Sequence, residues 1–80
     1  MKARIIVMPK KSVLDPQGAT VKSALDHMSF AGINSVRVGK FIEIEIADGA
    51  GREEARRKLD EACHRLLSNP VIEDYQLEVL

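Results

Sequence analysis

Ser35-Val36-Arg37-Val38-Gly39-Lys40-Phe41-Ile42-Glu43-Ile44-Glu45-Ile46 alternates along its whole length. Even positions carry Val36, Val38, Lys40, Ile42, Ile44 and Ile46, and odd positions carry Arg37, Gly39, Phe41, Glu43 and Glu45. Period-two alternation of β-branched with charged residues is the pattern of a half-buried strand. The open point is Gly39-Lys40 in its middle. A two-residue hairpin turn there would set Arg37 opposite Ile42 and Val36 opposite Glu43, mixing apolar with charged on each face. A three-residue loop over Gly39 to Phe41 preserves the faces, and so does one unbroken strand bent at the glycine. Glycine inside a strand pattern marks a bend or bulge, which favours the unbroken strand. From Val36 to Ile46 such a strand would run roughly 35 Å at ~3.3 Å per residue. A compact 80-residue domain has a radius of gyration of only about 12 Å. The strand is therefore expected to outrun its own fold and pair with another chain.

The flanking elements follow from local signals. Lys2 to Met8 reads as a strand with Ala3, Ile5 and Val7 on one face and Ile6 and Met8 on the other, so both faces are expected to be covered. Pro9 ends it, having no amide to give a ladder. Asp15 is an N-cap and Pro16 the first residue of a helix reaching about Met28, with Val21, Ala24, Leu25 and Met28 as its stripe. Gly18 costs that helix about 1 kcal/mol relative to alanine, so something is expected to approach the first turn closely. Ala47 to Gly51 is a loop. A second helix runs from about Arg52 to Leu67, its stripe made of Ala55, Leu59, Ala62, Cys63 and Leu66. Asn69-Pro70 stops it, and Val71 to Leu80 is the last strand.

The order β-α-β-α-β implies one α+β domain over residues 1–80. It is a two-layer sandwich, an antiparallel sheet with two helices on one face and a long bent middle strand. If Gly39 to Phe41 is instead a tight loop, the order becomes β-α-β-β-α-β, the ferredoxin-like arrangement.

Composition narrows the function. Twelve basic residues balance twelve acidic ones, so no net field draws the chain to nucleic acid or a membrane. A single cysteine precludes an intrachain disulfide and fits a reducing cytoplasm. Ile5-Ile6-Val7-Met8 is too short for a signal-peptide core or a membrane span. Eighty residues give a thin core, which oligomerisation commonly supplements. Cys63 and His64 are adjacent and point about 100° apart on a helix, a poor metal clasp. Cys63 lies on the apolar stripe and reads as a small buried hydrophobe, and His27 borders the stripe of the first helix. No serine has an elbow motif or a base partner. Gly39-Lys40 lacks the loop and helix of a phosphate-binding motif, and Lys10, Lys11, Arg37 and Lys40 lack the aromatics of a base-stacking surface. Nothing resembles an active site.

Three blocks, Val13-Leu14-Asp15-Pro16-Gln17-Gly18, Val36-Arg37-Val38-Gly39-Lys40 and Val71-Ile72-Glu73-Asp74-Tyr75, occur in this order at these spacings. Together they resemble the PurS family, the small subunit of phosphoribosylformylglycinamidine (FGAM) synthase, over the whole chain. The resemblance implies a role in the ATP- and glutamine-dependent amidation of formylglycinamide ribonucleotide, in de novo purine synthesis. It implies a subunit required by that ligase but with no catalytic residue of its own. Such a subunit bridges a large synthetase subunit and a glutaminase subunit and aids ammonia transfer. ATP and magnesium would belong to the large subunit, with no cofactor held here. A homodimer or homotetramer is implied too, in the cytoplasm, with no nucleic acid or membrane partner. The motifs and the strand together nominate Asp15, Pro16, Gln17, Gly18, Arg37, Gly39, Lys40, Ile42, Ile44, Glu73, Asp74 and Tyr75 as interface residues. The competing reading is a small ferredoxin-like ligand-sensing dimer.

Overall fold

The computed structural model describes residues 1–47 and 49–80. Strand β1 spans Lys2–Pro9, helix α1 Pro16–His27, strand β2 Lys40–Glu45, helix α2 Arg52–Ala62 and strand β3 Glu73–Val79, with a π-helical turn Cys63–Leu67 ending α2. The order is β-α-β-α-β, and the ferredoxin-like alternative is not what forms. Asp48, within the expected Ala47 to Gly51 loop, lies outside the described residues.

The sheet has the order β2-β1-β3, antiparallel throughout. Ile5 stands opposite Ile42 on one side and Leu77 on the other, and Ala3 opposite Ile44 and Val79. These residues share a face because side chains two apart along a strand point the same way. Ala3, Ile5 and Val7 are fully buried there, together with Cys63 from the helix layer. Ile42, Ile44, Leu67, Tyr75 and Leu77 pack around them. The opposite face carries Arg4 between Glu43 and Glu78, and Ile6 between Phe41 and Gln76.

The expected middle strand is shortened. Its ladder begins at Lys40, opposite Val7, so the residues before it are not paired in the sheet. The cause lies on the neighbouring strand: the next positions of β1 are Met8 and Pro9, and proline has no amide for the ladder. Val38 N instead donates to the Asp15 carboxylate at 2.9 Å. The Arg37 guanidinium donates to the Pro9 carbonyl at 2.8 Å. A Cβ on Gly39 would collide with Met8 Sδ and the Val7 carbonyl, so the glycine is there for close approach.

Two further boundaries move. The last strand starts at Glu73, since the Asn69 carbonyl accepts from both Ile72 N and Glu73 N and holds residues 69–73 in a turn. The stripe of the second helix slips by one residue at its end. Ser68 N bonds the Cys63 carbonyl, five residues back, and this wider turn brings Leu67 to the core. Leu66, expected on the stripe, is left 79% exposed.

Helix α1 starts at Pro16 behind Asp15, whose carboxylate accepts from Gly18 N at 3.0 Å. Gly18 is its one buried residue. A Cβ at Gly18 would strike the Val36 carbonyl oxygen and the Asp15 side chain, which is the close approach its sequence position suggested. Gly18→Ala is therefore expected to lower the urea midpoint of unfolding, although alanine in a helix is worth about 1 kcal/mol over glycine. A variant as stable as wild type would mean that the 36–38 segment can move away freely.

Candidate functional site

The Asp15 carboxylate is the organising group. One oxygen caps α1 through Gly18 N, and the other accepts from Val38 N at 2.9 Å. A single side chain thus ties the start of a helix to the residues leading into β2. The amide of Gly18, then that of Val38, hold its carboxyl below the usual carboxylate range, as each favours the charged form.

This clamp draws the distant motifs to one end of the sheet, where β1 stops and β2 and β3 begin. A hollow of about 200 Å³ there is lined by Asp15, Gln17, Gly39, Lys40 and Glu73, residues from all three motif blocks. Its apolar walls are Pro9, Val13, Leu14, Val38 and Ile72. A second hollow of about 530 Å³ shares Val13, Leu14 and Asp15, and reaches Gly18 and Arg37 on its far side. Asp74 lies nearby, paired with Lys10 at 2.8 Å. Pro16 lies on the outer flank of α1, beside Thr20 and Val21.

Three of the expected interface residues are placed elsewhere. Ile42, Ile44 and Tyr75 turn toward the helix layer and pack on the core of their own chain, because their register positions share the face of Ile5 and Val7. The Tyr75 hydroxyl also donates to Asp60 of α2 at 2.7 Å, and that bond raises its pKa. Leu14 and Ile72, which belong to the motif blocks but not to the nominated interface residues, also line the smaller hollow. The available signal was Leu14 just before the cap, where an apolar residue normally packs on one at N4. Here N4 is Ala19, too short to cover it.

Among the described residues no group of three or more His, Cys, Asp or Glu side chains could hold a metal ion. Nor is any helix among the described residues long and apolar enough to cross a membrane. Cys63 is buried within the core cluster, and burial pushes its thiol pKa up, contrary to the need of a nucleophile. What the residues build is a set of exposed ridges and hollows around a rigid clamp.

The chain is a small α+β sheet domain that brings residues of all three motif blocks together around one surface hollow. Residues 2–80 match the profile of the PurS family, phosphoribosylformylglycinamidine (FGAM) synthase, and the chain belongs to that family. The PurS subunit of Bacillus subtilis is 44% identical over 82 residues, covering 98% of this chain and 90% of that one. That of Methanocaldococcus jannaschii is 40% identical over 78 residues, covering 98% and 93%. A chain in the structure of PurLQS from Thermotoga maritima superposes with a TM-score of 0.84 at 33% identity, covering 99% of this chain and 95% of that one. The family places the chain as a subunit of a ligase of purine biosynthesis.

Because Asp15 is more acidic when folded, its contribution to stability is complete above its unfolded pKa of about 3.9 and is lost as pH falls through the lower folded value. Asp15→Asn removes the charge and leaves one acceptor oxygen for two amides. The variant should be less stable than wild type at neutral pH, and its urea midpoint should fall less between roughly pH 5 and pH 3. Parallel pH profiles for the two proteins would show that the clamp carries no charge-dependent stability.

Proposed function

We propose that the chain is a non-catalytic bridging subunit, paired with a second copy of itself and joining a large synthetase subunit to a glutaminase subunit. In this reading ammonia released by the glutaminase crosses to the synthetase while this subunit holds the two in place. ATP and magnesium bind on the large subunit, and the assembly works in the cytoplasm. The PurLQS structure of Thermotoga maritima, in which a similar chain takes part, supports the heteromeric half of the proposal.

One observation carries the homomeric half: the chain is not compact. Its radius of gyration is 16.2 Å, with extents of 51 × 24 × 15 Å, against about 12 Å for a compact chain of this length. Helix α1 is the reason. Its stripe does not sit on the sheet beside α2, and Val21, Met28 and the following Phe30 are exposed, Met28 by 68%. The segment 31–37 makes no backbone–backbone hydrogen bond among the described residues. Exposed apolar side chains beside unpaired amides form a template for another chain. A groove of about 260 Å³ lined by Ile46, Ala50, Ala55 and Leu59 offers the α1 stripe of a second copy a seat. A homodimer satisfies both needs at once, and a homotetramer is two such pairs.

The interface residues that remain available on the surface are Asp15 to Gln17, Arg37, Gly39, Lys40, Glu73 and Asp74, while Gly18 is buried beneath them. Ile42, Ile44 and Tyr75 support the fold beneath them. Wild type should sediment as a dimer or tetramer, and Val21→Asp should reduce its mass to that of one chain while leaving it folded. A monomeric wild type at micromolar concentration would remove the second copy from the reading. In assays, the pure chain should release no glutamate from glutamine and hydrolyse no ATP. Added to the two other subunits, it should restore glutamine-dependent formation of formylglycinamidine ribonucleotide. Turnover by those two subunits at the full rate without it would defeat the bridging role.

A further inference from the structure

Leu14 is the most exposed large apolar side chain of the protein, at 85%, yet it sits in a tightly tied segment. Lys10 N donates to the Ile72 carbonyl at 2.8 Å and Val13 N to the Lys10 carbonyl at 3.0 Å. One residue further on, Asp15 is held by two amides. The side chain is therefore presented on a fixed backbone between two hollows, with Ile72 across the smaller one. Preorganised apolar groups with a polar rim are the ingredients of a protein–protein hot spot, because little ordering entropy remains to be lost on binding.

The charges around it indicate what kind of surface fits. The acids of this end are already engaged: Asp15 by its two amides, Asp74 by Lys10, and Glu73 by the amide of Asn69 at 2.8 Å. The cations are less committed. Arg37 donates to a neutral carbonyl, and among the described residues neither Lys11 nor Lys40 takes part in an ion pair. Amide hydrogen bonds leave Asp15 and Glu73 charged, but Lys11, Lys22, Arg37 and Lys40 line the two hollows with them, so the rim carries an excess of positive charge. A second copy offering the same patch would bring like charges together, since a two-fold interface sets a surface against itself. A different protein, with carboxylates around an apolar projection, meets no such penalty.

We propose that the end of the sheet around Leu14 and Ile72 docks an acidic-rimmed apolar projection of another subunit of the synthase. The inference rests on the bridging role and assigns that role a surface separate from the α1 stripe used between copies. Leu14 fills a pocket on the partner, the hollow toward Ile72 receives the partner's projection, and Lys11 and Lys40 meet its carboxylates.

The test is binding of three proteins to the purified large and glutaminase subunits at low and high salt. They are wild type, Leu14→Asp and the double variant Lys11→Glu/Lys40→Glu. All three side chains are exposed, so each variant should unfold at the wild-type urea midpoint and keep the wild-type self-associated mass. Both variants are expected to bind one of the two subunits about tenfold or more weakly, a hot-spot-sized loss. Salt should weaken wild-type binding more than that of the double variant. Undiminished binding of both variants overturns the proposal and leaves the bridging role standing. A Leu14→Asp protein that loses self-association but still binds both subunits also overturns it, by showing that a second copy covers Leu14. Wild type that binds neither subunit overturns the bridging role itself and this surface with it.

Discussion

Strand β1 is the constraint on which the rest hangs, since among the described residues it alone has a neighbour on each edge. Its inward residues Ala3, Ile5 and Val7 are buried completely, and burying a side chain such as Ile5 contributes roughly 2 kcal/mol. A one-residue slip against either neighbour would turn these groups out and bring Arg4 in. Register is therefore fixed on both edges by one short apolar run. Helix α2 needs only to lay Cys63 and Leu67 on that run to complete the core.

The point where β1 stops matters as much as where it runs. Pro9 cannot extend the ladder, so the residues before Lys40 must find other partners. The Asp15 carboxylate and the Pro9 carbonyl provide two of them, through Val38 N and Arg37. Termination of one strand thus decides how α1 is tethered, and the tether decides which side chains gather at that end. Helix α1 consequently leaves the body of its own chain, while the motif residues stay close to the sheet.

Element order, the Asp15 cap, the buried Cys63 and the close approach at Gly18 could all be read from residue pattern, because each leaves a local mark: a period, a capping residue, a place on an apolar stripe, or a glycine where a helix disfavours one. What could not be read depends on contacts between distant segments. The alternation from Val36 to Ile46 is continuous in the sequence, but Pro9, on another strand, divides it into a paired and an unpaired half. Ile42 and Ile44 pack against the core of their own chain, a placement that periodicity leaves open because it reports an apolar face and not what covers it. The slip from Leu66 to Leu67 follows from a π-helical turn that the residue pattern did not reveal. The exposure of Leu14 is not legible in the sequence, because it accompanies a short Ala19 and a segment tied by Lys10 N to the Ile72 carbonyl and by Val13 N to the Lys10 carbonyl.

The chain contains one thiol, and the fold has placed it where solvent cannot reach. Cys63 lies under the end of α2, beside Ile5 and Val7, in the turn closed by Ser68. A thiol reagent can attack it only when that end of the helix lifts away from the sheet, and only after the proton leaves a sulfur that burial has made less acidic. Its rate of modification is accordingly a clock for local opening, carried by the natural sequence with no label added. The same seclusion leaves the surface chemically quiet, so a cysteine introduced anywhere on it would report its own surroundings against a silent background.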